Sequence, residues 1–350
     1  MDGAGGGARS RALGALYGLA IGDALGMPTQ SRSRAGIVAR YGSLLDGFEP
    51  GPPDHPLAAG LPAGTVTDDT EQAVLLARLI VKGGGVPDQA ELASQLLAWE
   101  DSMRTRGSLD LLGPSTRRAL AAVAAGAGPD DAGRYGTTNG AAMRITPVGV
   151  ATPSADPGLL VDRVVAASRL THNTGIALAG AAAVAAAVSA GIDGATVHEA
   201  VRLAPAAAAS AATHGHWAAG ADVASRITWA AGLVAGLAPE QAMDVVYRLV
   251  GTSLATQESV PAAFAVATVS PGDPWLACRI AASLGGDSDT IAAMTGAICG
   301  ACQGVESFPG SARATVARVN VRDLGLDGLA AGLLAVRSGT APRAGGDAAR

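Results

Sequence analysis

Aromatic residues make up only 3% of the 350-residue chain. A core must then be filled by small aliphatic side chains. These let helices approach closely, and alanine is the best helix former. Charge is scarce as well, at 16%, with a net charge of −5. The basic residues are scattered, so the electrostatic footprint of a nucleic-acid binder is missing and no nucleic-acid partner is expected. Three cysteines, an odd number, do not make a disulfide framework. A reducing, cytoplasmic setting is the expected one. Cys299 and Cys302 form a C-x-x-C inside an apolar helical pattern with no second pair, which reads as core thiols rather than zinc or redox chemistry. No stretch sustains period-two alternation, so strands are expected to be incidental.

Apolar residues reach 49%, with 48 glycines, and this is enough for a sizeable core. Arg9 and Arg11 precede the apolar "ALGALYGLAI", as in a signal peptide, but the stretch runs into Asp23 and has no small-residue cleavage site. Residues 176–192 are uncharged yet only at the short limit for a membrane span. They are expected to form a buried core helix, with no membrane partner. Residues 1–8 and 338–350 read as flexible tails, leaving one domain over 9–337. Punctuation by glycine and proline predicts helices near 9–25, 69–82, 88–103, 114–126, 140–150, 157–169, 174–190, 195–209, 217–235, 239–250, 256–269, 273–284, 288–302 and 311–319. The proline-rich segment within 44–60 is a long loop of the kind that borders a site.

Two acidic clusters stand out. "GTVTDDT" at 64–70 and "GGDSDT" at 285–290 each place glycine, acids and threonines just before a helix. For either alone, N-capping is a sufficient account. A cap needs one side chain, however, and Asp287 and Asp289 are two apart, so they converge only on a bent turn that Gly285 and Gly286 permit. Neighbouring carboxylates repel unless something positive lies between them. Carboxylate and hydroxyl oxygens without nearby His or Cys suit Mg²⁺ or Mn²⁺. If the clusters meet, they have donors enough for two ions. "TTNGAAMR" at 137–144 offers backbone amides that suit an anion, although Asn-Gly before a helix is also an ordinary turn. A lone histidine such as His172, before the alanine-rich helix, is more often a capping or packing residue.

Together these segments resemble the ADP-ribosylglycohydrolase family. The matching motifs run in the family's order: "GLAIGDALGMP" (18–28), "TDDTEQA" (67–73), "NGAAMRITPVG" (139–149), "LTH" (170–172), "QESVPAAFA" (257–265) and "GGDSDTIAAMTGAICGA" (285–301). The resemblance implies an all-α, single-domain orthogonal bundle with a central two-Mg²⁺ site, Mn²⁺ being an alternative ion. It implies one metal held by Thr67, Asp68 and Asp69, and another by Asp287 and Thr290 with Asp289 bridging. It also implies that backbone amides along Asn139, Gly140, Ala141, Ala142 and Met143 hold a diphosphate, that His172 lies near ribose or adenine, and that Asp23 supports the site. The implied reaction is hydrolysis at the anomeric carbon of a ribose. The substrate would be an ADP-ribosyl conjugate, an ADP-ribosylated protein included, or a smaller nucleoside-like compound. Where many members carry a glutamate, this chain has Gln30, which cannot exchange a proton at neutral pH. Proton transfer is then expected to fall to Asp69 or Asp289, with Glu258 a further candidate and Glu71 a weaker one. A catalytically silent binding protein, as in the family's lens crystallin, and a two-metal phosphohydrolase are the alternatives.

Overall fold

The computed structural model describes the backbone of residues 2–108, 112–320 and 324–340, and side chains within those ranges from residue 7 onward. Eighteen α-helices are assigned in them. In chain order α1 to α9 are Asp2–Gly26, Arg34–Tyr41, Asp68–Lys82, Gln89–Thr105, Pro114–Ala124, Pro129–Ala132, Gly140–Met143, Thr146–Ala151 and Pro157–Ser168. Then α10 to α18 are Gly175–Ile192, Val197–Ala211, Val223–Val234, Pro239–Val245, Thr256–Val269, Pro274–Ala282, Ser288–Gln303, Gly310–Val319 and Leu326–Arg337. Among the described residues, extended pairing is limited to isolated bridges such as Thr138 with Ala255, so the fold is all-α.

Helix α10 runs through the middle of the molecule. It packs against α7, α8, α9, α11, α14 and α16, and 89% of it is buried. By length and composition alone it would also pass for a membrane span. Its low charge reflects burial on all sides. The largest apolar cluster extends from Ala12 to Val336 and takes in residues of most helices. A smaller one, around Leu79, Leu96 and Trp99, seats α4 on α3.

The pairing that positions the site is α1 with α16. Gly14, Gly18, Gly22 and Gly26 recur every four residues on one face of α1. A Cβ at Gly18 would sit 2.1 Å from the Gly296 carbonyl oxygen, and one at Gly22 would sit 2.0 Å from that of Ala292. One at Gly26 would lie 2.3 Å from Asp289 Cα. Rising numbers on α1 meet falling numbers on α16. The two helices are therefore antiparallel and in backbone contact, which only glycine allows.

Several boundaries differ from those expected. α1 begins at Asp2, inside the stretch read as a tail, while 341–350 of the other tail lie outside the described residues. The single helix expected over 140–150 is two short ones, broken at Arg144 and Ile145 ahead of Pro147, which disfavours continuous helix before it. The helix expected from 217 starts at Val223, where Asp222 caps it by accepting from the Ser225 amide at 2.7 Å. α2 was not anticipated because it is eight residues long and buries only Arg34 and Ile37. α18 was not anticipated because Gly328 and Gly332 lower its helix propensity. It is held instead by Leu326, Ala330, Leu333 and Val336, buried along one face.

Candidate active site

The end of α1 collects both acidic clusters. Asp23, fully buried, accepts from the Thr67 amide at 2.9 Å and the Thr67 hydroxyl at 2.7 Å. It also accepts from the amide and hydroxyl of Thr70, at 3.1 and 2.5 Å. These four bonds fasten the start of α3 to α1. Three residues on from Asp23, Gly26 lies against Asp289 of α16. The clusters therefore meet: Thr290 Oγ1 donates to Asp69 Oδ2 at 3.3 Å.

The second cluster bends as two consecutive left-handed glycines allow, with φ of 85° at Gly285 and 70° at Gly286. The bend is stitched on both sides. The Ser31 amide donates to the Gly286 carbonyl at 2.6 Å, and the Asp287 amide to the Thr252 carbonyl at 2.7 Å. Asp287 occupies the N-cap position of α16, yet its side chain makes no capping bond. It accepts instead from Asn139 Nδ2 at 2.5 Å. Capping accounts for Thr67, whose hydroxyl accepts from the Asp69 amide, but not for Asp287.

A cavity of about 400 Å³ opens over this junction. Its walls include Gln30, Asp68, Gln72, Thr138, Asn139, Gly140, Met143, Asp287, Asp289 and Thr290. Of the other residues singled out in the sequence, Thr67 and Asp69 lie behind the wall, as do Ala141 and Ala142. The loop 44–60 contributes Leu57 to the rim. His55, which belongs to none of the motifs, holds that loop in place. Its Nδ1 accepts from the Ala58 amide at 2.8 Å, leaving Nε2–H to donate to the Gln30 carbonyl at 2.9 Å. The Gln30 side-chain nitrogen itself has no protein partner.

Burial and mutual repulsion dominate the electrostatics. Burial, opposed by its four hydrogen bonds, raises the Asp23 carboxyl to about 6. Burial also raises Asp287 to about 6, against the bond from Asn139. Asp69 is pushed well above the ordinary carboxylate range, first by burial and then by the charges of Asp289, Asp68, Asp23 and Asp287. Such a cluster is costly without a counter-charge.

Two candidates lie away from the cavity wall. Glu258 does not line the cavity; its Oε2 accepts from the Ser253 amide at 3.1 Å and closes the loop before α14. Glu71 faces away, receiving Trp99 Nε1 at 2.5 Å and Arg106 at 3.2 Å. His172 is fully buried beneath Gly140: a Cβ there would lie 2.9 Å from its Cε1. Glycine at 140 is thus required by the imidazole under it. Arg144, also fully buried, is a residue that sequence reasoning missed. Its Nη1 donates to Gln72 Oε1 at 3.1 Å, and Gln72 Nε2 donates to Asp68 Oδ2 at 2.8 Å.

The donor set is one of oxygens, as hard cations prefer. Asp69 Oδ1 is buried with no hydrogen-bond partner, as suits an oxygen that would ligate a cation. Among the described residues, no three His, Cys, Asp or Glu side chains converge closely enough to hold an ion alone. The hydroxyls of Thr67 and Thr290 stand beside Asp69 as further oxygen donors. With them, the residues present fit a divalent cation.

Comparison with known proteins agrees with this fold. The family model for ADP-ribosylglycohydrolase matches residues 6–343, and the chain belongs to that family of glycohydrolases. It is 36% identical over 315 residues to the uncharacterized protein YegU of Escherichia coli strain K12, covering 89% of this chain and 93% of that one. It is 32% identical over 174 residues to the ADP-ribosyl-[dinitrogen reductase] glycohydrolase of Rhodospirillum rubrum, covering 47% of this chain and 51% of that one. A solved structure, described as an ADP-ribosylglycohydrolase-related protein complex, aligns with a TM-score of 0.68 at 27% identity. That alignment covers 94% of this chain and 98% of that one.

Proposed function

We propose that this chain hydrolyses the N- or O-glycosidic bond at the anomeric carbon of a ribose, using divalent cations, Mg²⁺ or Mn²⁺, held at Thr67, Asp68, Asp69, Asp287, Asp289 and Thr290. The observation that carries the reading is the junction of two acidic segments 221 positions apart, through Thr290 and Asp69, beside a cavity of ligand size. Bound there, the cations supply Lewis acidity and a template for the sugar hydroxyls. The chain supplies the rest. Asp287, oriented by Asn139, and Asp289 place negative charge beside a ring that becomes positive as the bond breaks. Of the two acids named as proton acceptors, Asp289 faces the cavity and Asp69 stands behind it.

The Rhodospirillum rubrum relative is named for an ADP-ribosyl substrate, which supports an ADP-ribosyl conjugate here. A second reading, a smaller nucleoside-like substrate, is favoured by the wall itself. Among the described residues it carries three aspartates and no Lys, Arg or His. A diphosphate would find counter-charge only in the bound cations. Product analysis separates these readings. The chain is incubated with Mg²⁺ or Mn²⁺ and either ADP-ribosyl-arginine or a panel of nucleosides. Release of ADP-ribose or of free ribose supports the first or the second reading. AMP with ribose phosphate indicates phosphohydrolysis, and no release with retained binding indicates a silent binder. Asp289→Asn is expected to abolish release in either hydrolytic case.

A further inference from the structure

We infer that Arg144 and His172 are positioning residues that fix the Thr138 hydroxyl as a hydrogen-bond acceptor toward the cavity, so that this point of the wall reads a donor on the ligand. The inference follows from the direction of each bond in a buried chain. A guanidinium has donors only. Arg144 Nη2 donates to Thr171 Oγ1 at 2.5 Å, so that oxygen accepts. The single Thr171 hydroxyl proton then has two acceptors within reach, His172 Nδ1 at 2.8 Å and the Ser168 carbonyl at 3.5 Å. The shorter bond is the stronger. With Nδ1 accepting, a neutral ring carries its proton on Nε2, which donates to Thr138 Oγ1 at 3.0 Å. The Thr138 proton is spent on Ser115 Oγ at 2.9 Å. One lone pair of the Thr138 oxygen remains, and Thr138 lines the cavity.

The ring has no latitude to do otherwise. Burial, and then the charge of Arg144, hold the His172 pKa well below its ordinary value, so it stays neutral. Gly140 roofs it without a Cβ. The neighbouring residue follows the same polarity: Asn139 Nδ2 gives its two protons to Asp287 and Ser259, leaving its carbonyl oxygen as the acceptor. A sugar hydroxyl is a donor and suits such a wall, whereas an ionised phosphate oxygen is not. The inference rests on the glycohydrolase reading only in taking this cavity as the substrate site.

The experiment is nitrogen-15 NMR of the histidine rings in the full chain, with the His172 signals assigned by His172→Gln. The expected result is a neutral ring protonated on Nε2 from pH 5 to 8. Thr171→Val, which keeps the volume and touches no ligand, is expected to release the tautomer, giving a mixture with Nδ1–H. Thr171→Ser is expected to restore the single form. Affinity for adenosine, the probe, is expected to fall about fivefold in Thr171→Val, the weight of one neutral hydrogen bond, and to recover in Thr171→Ser. An imidazolium or an Nδ1–H ring in the unaltered chain overturns the inference. So does a Thr171→Val chain with unchanged tautomer and affinity. Arg144→Met is a stronger variant, and Thr171→Val decides the matter if that one fails to fold. If the unaltered chain binds neither adenosine nor ADP-ribose, the glycohydrolase reading fails, and the tautomer alone still decides the chain of bonds.

Discussion

Thr290 and Asp69, 221 positions apart, share a hydrogen bond of 3.3 Å, and the other Asp69 oxygen is buried without a partner. Asp69→Asn keeps the shape and removes one charge from a repelling group. It is expected to raise the melting temperature in chelator, yet to weaken Mn²⁺ binding by at least about 100-fold, more than the 10–100-fold typical of changes outside the ligand set. Calorimetric titration with Mn²⁺ and a melting curve in chelator check both. Unchanged Mn²⁺ affinity would remove the metal from the reading.

The backbone contact of α1 with α16 leaves no room for a side chain. Gly22→Val is expected to destabilise the chain by about 3 kcal/mol or more, at the upper end for overpacked cores, because the atom it meets is a carbonyl rather than a flexible side chain. Gly232→Ala, in open space on α12, is the control and is expected to be neutral or slightly stabilising. Equal melting temperatures for the two variants would contradict the packing described.

Stability in chelator is expected to fall as pH rises from about 4 to 7. Asp23 and Asp287 have folded values raised to about 6 from 3.8, so the folded chain holds these protons more tightly than the unfolded one. Their contribution is fully present below the lower value and lost as pH passes through the upper one. Mg²⁺ at pH 7 is expected to restore the loss, since the ion takes the protons' place. Asp287→Asn should flatten the slope. A melting temperature in chelator that climbs over this range would show that burial does not govern these acids.

Gln30 has a side-chain nitrogen with no protein partner, on a wall shared with Asp287 and Asp289. Gln30→Glu is expected to raise KM for the native substrate about tenfold by exchanging a donor for a charge that the neighbouring acids repel. Toward ADP-ribosyl-arginine the same variant gains a general acid/base group, and such groups contribute about 10²–10⁴-fold in rate. Steady-state kinetics on both substrates check the split. A variant indistinguishable from the unaltered chain on both would place Gln30 outside the reaction.

The sequence by itself determined the local grammar. Scarce aromatics and abundant alanine specified helices. Glycine followed by acids and threonines marked the starts of α3 and α16, and the order of motifs carried the family. These are properties of neighbours in the chain, where propensity and capping act. Which side chains face one another was decided only by the tertiary structure. Asp287 and Thr67 hold similar positions at their helix starts, yet one is turned to Asn139 and the other caps α3 and binds Asp23. Glu258 and His172 stand in matching motifs, yet one closes a loop and the other lies under Gly140. Arg144 looks like any helix-terminal cation until the break before Pro147 and the burial of α7 turn it inward to Gln72 and Thr171. The physical reason is common to all of these. A polar group buried in a core takes whichever partner the packing of distant helices brings within reach, and that partner is not recorded in its own neighbourhood of the chain.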